Sequence, residues 1–329
     1  MSSDTPSIRG YSLVTAAYWG FTITDGALRM LVLLHFHDKG FSPVTLAFLF
    51  LLYEFCGVIT NLVGGWIGAR FGLRITLFVG LALQIIALVL LAQVQDAWGI
   101  WLAAAFVMGT QALSGVAKDL TKMSSKSAVK LLAPGDDQDS KLFKWVALLT
   151  GSKNALKGIG FFVGALLLAQ LGFDQSLYAM AAGLFIVWII CLLGLRQEIG
   201  KAKKKVKFTQ IFSKDRRINW LSTARFFLFA SRDIWFVVGL PVFLHDKAGL
   251  GWSFEQVGAF MAAWVIGYGV VQAAVPGFTK GSQKSGSELG GTLALVWAFV
   301  LFGVTAGIAA AVTFEFHIMW SVLIGLGIF

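Results

Sequence analysis

The sequence predicts an all-α polytopic membrane protein of two helical bundles, the second of them incomplete in this chain. Three observations carry that expectation: apolar runs of membrane-spanning length, basic residues confined to alternate connections, and a repeat between the two parts of the chain. Hydrophobic residues make up 57% of the 329 residues and charged residues only 13%, with a mean hydropathy of +0.77. A soluble domain carries about 25% charged residues. Ten apolar runs are read, at 11–34, 43–66, 75–93, 98–117, 145–171, 176–195, 218–244, 253–275, 290–313 and 317–329. Most are close to the roughly 20 residues a spanning helix needs. They are too long for core strands and too numerous for a single anchor. The tenth stops at Phe329 with no polar cap or basic anchor, so the fold is expected to continue past it.

The basic residues orient these runs. Of the 27 Lys and Arg, five lie inside runs, and two, Lys39 and Lys247, follow runs one and seven. The remaining twenty sit at the N-terminus or after runs two, four, six and eight. This positive-inside pattern places the N-terminus and the even-numbered connections in the cytoplasm. The formal charge of +10 is then explained by anionic lipid, and no nucleic-acid partner is needed. The first run is too long for a signal-peptide core and lacks a small-residue cleavage site. Cys56 and Cys191 both fall within runs, which suits packing and gives neither a disulfide framework nor a thiolate metal site. The four histidines, His35, His37, His245 and His317, lie near run ends without metal-ligand spacing. No nucleophile–base set or phosphate-cradling loop appears, so neither an enzyme nor a cofactor or metal is expected.

The basic stretch 196–217 divides the chain into a six-helix bundle, 1–195, and a second bundle, 218–329, of about four helices. Charged linkers self-repel and stay extended. The two parts repeat each other. Asp25 is followed twelve residues later by His37-Asp38-Lys39, and Asp233 twelve residues later by His245-Asp246-Lys247, an offset of 208. After a small insertion Asn61 falls opposite Gln272. Run two ends in GGWIGARFGLR at 64–74. Glycine there lets helix ends approach closely, and arginine meets the negative ends of helix dipoles. The turn resembles the signature of the major facilitator superfamily, whose fold is a parallel repeat of two six-helix bundles. It departs from that signature at Ala69, where the superfamily carries an Asp, so a gating ion pair built on that Asp is absent.

Charges inside apolar runs are where function is expected, because each costs roughly 2.5–3.5 kcal/mol at mid-membrane unless it is paired or wetted. Five are basic (Arg29, Lys153, Lys157, Arg225, Arg232) and, away from the ends of the runs, three are acidic (Asp25, Glu54, Asp233). The positive excess points to an anionic cargo. Asp25 and Arg29, four apart, share a helix face and form either a self-neutralised pair or an arginine offered to an anion. Lys153 and Lys157, also four apart with no acid in their run, either snorkel to the interface or hold the guest, with Asn154 as a hydrogen-bonding partner. Arg225 and Arg232 return to one side of run seven. Arginine forks match oxyanions two oxygens at a time. In a two-bundle carrier runs one and seven face one another, so Arg29, Arg225 and Arg232 are the expected cargo ligands. A similar arginine pairing characterises the organophosphate antiporters of the superfamily. Asp25, Glu54 and Asp233 are the candidate proton carriers, Glu54 as an isolated carboxyl in an apolar helix or as a neutral packing residue. Lys118, Lys122, Lys126 and Lys130 form a stripe leaving run four. It reads as a basic surface helix, with Lys118 and Lys122 also placed to gather anions at the cavity mouth.

Five strings are more specific than the turn: TDGALRMLVLLHFH at 24–37, YEFCGVITNLVGGW at 53–66, AKDLTKMSSKSAVK at 117–130, ALLTGSKNALKG at 147–158 and SRDIWFVVGLP at 231–241. With them the chain resembles the organoarsenical efflux permeases, the ArsJ family, from about residue 10 to residue 275. The resemblance implies arsenate resistance in two steps. A partner glyceraldehyde-3-phosphate dehydrogenase makes 1-arseno-3-phosphoglycerate, and the permease, a monomer in the bilayer, exports this labile ester. Pentavalent arsenic in an ester is an oxyanion that wants arginine, which agrees with the lack of a thiolate site. The alternative is an organophosphate or drug antiporter with no arsenic role. Proton antiport, phosphate exchange and uniport all remain open as energy sources.

Overall fold

The computed structural model describes residues 8–95, 97–132, 138–195, 199, 216, 219–220, 223, 234–246, 249–279 and 286–314. Among them there is helix and no strand. The helices are α1 (Ile8–Asp38), α2 (Pro43–Leu49), α3 (Leu51–Phe71), α4 (Leu73–Leu91), α5 (Ile100–Leu132), α6 (Gln138–Leu171), α7 (Phe173–Gly194), α8 (Leu240–His245), α9 (Phe254–Thr279) and α10 (Gly286–Thr313). Five stretches of the described residues are long and apolar enough to cross a membrane. An apolar interior cannot hydrate peptide groups, so each crossing segment satisfies its backbone as helix.

Local chemistry sets the breaks. Gly40 turns the chain after α1 at φ +84°. Ser42 then caps α2, its hydroxyl accepting from the Thr45 amide at 3.2 Å, with Pro43 opening the helix. Run two is thus two helices broken at Phe50. Gly72, at φ +93°, forms the tight turn of the glycine-rich signature. Before α8, residues Ile234–Gly239 form a π-helical turn. Pro241, one residue into α8, has no amide to offer the preceding carbonyls, which accounts for the change of helix type at this point. Two boundaries differ from expectation. α5 continues unbroken to Leu132, and α6 starts at Gln138, ahead of run five. The basic stripe therefore prolongs run four and is no separate surface helix.

Contacts divide the chain into Met1–Ala263 and Trp264–Phe329. Most of the expected linker 196–217, with Arg225, Arg232 and Asp233, lies outside the described residues. In the first unit α1 packs chiefly on α6, and α3 and α4 pack on α5. Tyr11, Val14, Tyr18 and Phe21 of α1 share a core with Leu77 and Leu81 of α4 and Leu184 of α7. Val44, Phe48, Phe55, Ile186 and Leu193 remain exposed, as lipid-facing positions are. Without a hydrophobic drive between helices in lipid, close approach depends on small residues. A Cβ on Gly160 would lie 2.5 Å from the Ile23 carbonyl oxygen, and one on Gly164 would lie 2.3 Å from that of Ala27. Both obstacles are backbone, so Gly164→Ala must push α6 off α1. The expected loss is about 1–3 kcal/mol, read as a lower melting midpoint in detergent.

Candidate functional site

Three helices bring their charges together. α1 carries Asp25 and Arg29, α3 carries Tyr53 and Glu54, and α5 carries Lys118, Asp119 and Lys122. The close approach of α3 to α5 makes this meeting geometric: a Cβ on Gly115 would lie 2.1 Å from the Tyr53 carbonyl oxygen, and one on Gly57 would lie 2.7 Å from Asp119 Oδ2. Any larger residue at 115 would separate the two helices at the level of the charges.

Glu54 is the hub. Arg29 Nη2 donates to Glu54 Oε1 at 2.5 Å, and Lys118 Nζ donates to Glu54 Oε2 at 3.1 Å. The Tyr53 ring lies beside both cations, with Arg29 Cζ 4.5 Å and Lys118 Nζ 4.1 Å from its centroid. A cation near an aromatic face is attracted by the ring quadrupole, by roughly 0.5–2 kcal/mol. The Tyr53 hydroxyl donates to Asp25 Oδ1. Asp119 accepts from Lys122 Nζ at 3.0 Å and lies 4.0 Å from Lys118 Nζ. Burial is uneven: the side chains of Arg29 and Asp119 are 5% and 6% exposed, whereas that of Glu54 is 40% exposed. Sharing one carboxylate between two basic side chains lowers the cost of keeping both at this depth.

Three expectations change here. Asp25 and Arg29 do not neutralise one another, because Asp25 is taken by Tyr53 and Arg29 by Glu54. Glu54 is not an isolated carboxyl, since it accepts from two basic residues. Lys118, expected at the cavity mouth, stands level with Glu54 because α5 runs on as helix. Lys122 sits one turn further along, on Asp119. Tyr53 was missed by charge counting. Its signal was an aromatic with a polar handle next to an intramembrane acid, and such a hydroxyl seeks a partner when buried.

On α6, Lys153 is exposed while Asn154 and Lys157 are half-buried. Lys157 Nζ stands 5.4 Å from the Phe161 ring centroid, and the neighbouring Ser152 hydroxyl accepts from Trp19 Nε1 at 3.1 Å. The backbone around Lys157 lies against Gly26 of α1, so this basic segment flanks the helix that carries Arg29. Arg225, Arg232 and Asp233 lie outside the described residues.

A second polar cluster occupies the C-terminal end of α1. His245 Nε2 lies 2.8 Å from Asp38 Oδ1, and its Nδ1 lies 2.7 Å from the Trp252 carbonyl oxygen. The His37 and His245 rings are 5.8 Å apart. The two copies of the His-Asp-Lys repeat thus meet, a pairing that histidine spacing in the sequence did not suggest. Among the described residues no group of three or more His, Cys, Asp or Glu side chains is arranged to hold a metal.

Comparison with known proteins places the fold. Solved structures of similar fold include a D-xylose–proton symporter, 15% identical over 98% of this chain and 78% of that one at a TM-score of 0.57. A peptide transporter POT in complex with sulfate is 14% identical over 82% of this chain and 69% of that one, at a TM-score of 0.56. This chain spans 59% of the length of a POT family transporter solved with a thioalcohol-conjugated peptide, to which it is 16% identical over 92% of its own length at a TM-score of 0.48. At these identities the likeness to the symporter and to the sulfate-bound peptide transporter is one of fold. No curated protein gives a significant match. The sequence profile of the Major Facilitator Superfamily matches residues 11–329, nearly the whole of a chain that is helical and multi-pass, and the protein therefore belongs to that superfamily of membrane transporters.

Proposed function

We propose that the protein exports an anionic organoarsenical, 1-arseno-3-phosphoglycerate, by alternating access, and so confers resistance to arsenate. The observation that carries the anion reading is the shared seat: a buried arginine on α1 and a lysine on α5 that already hold one carboxylate between them. Two cations aimed at two oxygens of one group suit an oxyanion. The arsenical identity rests on the ArsJ-like strings, two of which contain Arg29, Tyr53 and Glu54. Lys153, Asn154 and Lys157 flank α1 as further ligands, and Arg225 and Arg232 would approach from run seven. Asp25, Glu54 and Asp233 are the groups through which protons would couple. The N-terminus and the even-numbered connections are cytoplasmic on this reading, in a bacterial inner membrane.

The test is complementation of an arsenate-sensitive host with and without the arsenate-accepting dehydrogenase. The expected result is growth on arsenate, but not on arsenite, only when both genes are present. Protection without the dehydrogenase, or equal protection against arsenite, overturns the arsenical reading. Export of phosphate esters without any arsenate protection would make the protein an organophosphate antiporter.

A further inference from the structure

Beside the shared Glu54 carboxylate, α5 buries a second acid, and α3 has a glycine where that acid lodges. We infer that Asp119, seated in the notch that Gly57 leaves on α3, is a positioning residue of the anion site: it fixes the Lys118 ammonium where it meets an oxyanion. This rests on the anion reading above and specifies what holds one of the two cations in register.

Three observations single out Asp119. First, it is buried more deeply than its own ion pair requires. Its side chain is 6% exposed, whereas that of its partner Lys122 is 36% exposed. Two charges three apart on a helix can neutralise one another at the surface. Here the carboxylate turns inward instead, and its burial is offset only by the cations it finds there. Second, it stands beside the site. Lys118 Nζ lies 4.0 Å from Asp119 Oδ2, 3.1 Å from Glu54 Oε2 and 4.1 Å from the Tyr53 ring centroid. The Glu54 side chain is 40% exposed, while Tyr53 and Asp119 are buried. The two buried groups have the least freedom, so they set where the ammonium rests. Asp119 Oδ1 accepts from Lys122 Nζ at 3.0 Å, which holds Lys122 one turn along α5. Third, the facing helix is shaped to this carboxylate. A Cβ on Gly57 would lie 2.7 Å from Asp119 Oδ2 and 3.5 Å from Lys118 Cε and Nζ. These obstacles are side-chain tips, in contrast to the backbone oxygen that faces Gly115. Glycine at 57 therefore makes room for a charged pair.

A single methyl added at 57 tests the role at constant charge. It meets no backbone and changes no ionised group, yet the Asp119 carboxylate cannot stay where it is. Lys118 then loses a fixed neighbour on the α5 side, and its ammonium is no longer held at one separation from Arg29. Recognition of one group by two cationic donors depends on that separation, and a site that must reorganise binds less tightly.

The experiment uses the full chain purified in detergent, with 3-phosphoglycerate as the probe. It reads the dissociation constant beside the melting midpoint without ligand. Gly57→Ala is expected to bind the probe about tenfold more weakly, with the ligand-free midpoint nearly unchanged. Gly65→Ala, on the same helix where a Cβ meets nothing within 4 Å, should bind as the unaltered protein does. In an Asp119→Ala background the methyl at 57 should have no further effect, because the group it displaces is gone. If Gly57→Ala is too unstable to purify, Asp119→Glu serves. It keeps the charge, but its longer side chain cannot sit in the notch, so binding should again weaken. Unchanged or tighter binding in Gly57→Ala, or in Asp119→Glu in its place, overturns the positioning role. An equal loss from the methyl with Asp119 absent overturns it too. Either result leaves the anion site standing if Arg29→Ala and Lys118→Ala still lose the probe. An unaltered protein that does not bind the probe, or unchanged binding in both Arg29→Ala and Lys118→Ala, overturns the anion reading itself.

Discussion

Arg29→Ala is expected to reduce transport of a phosphate-bearing anion about 100-fold, with a smaller loss of stability. Truncating one member of a desolvated, hydrogen-bonded charge pair costs about 2–5 kcal/mol in recognition, and about 2.7 kcal/mol is a factor of about 100. Stability should fall less, because Glu54 keeps Lys118 as a partner at 3.1 Å and is itself partly exposed. Arg29→Lys separates charge from shape. It restores the positive charge but not the planar fork, so it should bind the anion with intermediate strength. Transport into inverted vesicles and melting in detergent check the two effects. Wild-type transport by Arg29→Ala would remove Arg29 from the cargo site.

The second large effect concerns the clasp at the far end of α1. Asp38→Cys combined with His245→Cys, joined by a short bifunctional thiol reagent, is expected to stop transport almost completely. Alternating access requires the two repeats to part at each face in turn. The Asp38–His245 contact joins the corresponding segments of the two repeats, so a covalent link there would hold that face closed. The natural thiols Cys56 and Cys191 are replaced by serine in the background. Serine also preserves the bond that Cys191 Sγ donates to the Leu13 carbonyl at 3.5 Å. The imidazole has an acceptor on each side, the Trp252 carbonyl and the Asp38 carboxylate. Transport that survives cross-linking would show that this contact does not gate the pathway.

How much of this was legible in sequence depends on the range of the interaction involved. Run length and basic asymmetry identified the membrane-spanning class, because bilayer thickness and insertion cost act on each segment separately. The glycine turn at 64–74 was readable for the same local reason, and Gly72 adopts the positive φ that such a turn requires. The ends of α5 and α6 were not readable. Hydropathy falls once lysines enter a run, yet backbone hydrogen bonding carries the α5 helix on to Leu132 with Asp119 paired to Lys122. Counting charges located Arg29 and Glu54 but not their relation. Spacing along one helix paired Arg29 with Asp25, whereas packing of α3 and α5 gave it Glu54 and left Asp25 to Tyr53.

By itself, then, the sequence determined the solvent this protein folds in and singled out Arg29 and Glu54 among the charges of its apolar helices. These are properties of composition and order, enforced residue by residue by the cost of exposing polar groups to lipid. Only tertiary structure decided which charges meet. Gly115 allows α3 to reach α5 closely enough for Lys118 to share the Glu54 carboxylate with Arg29. Charge pairing falls off within a few ångströms and depends on helix crossings that no single helix encodes.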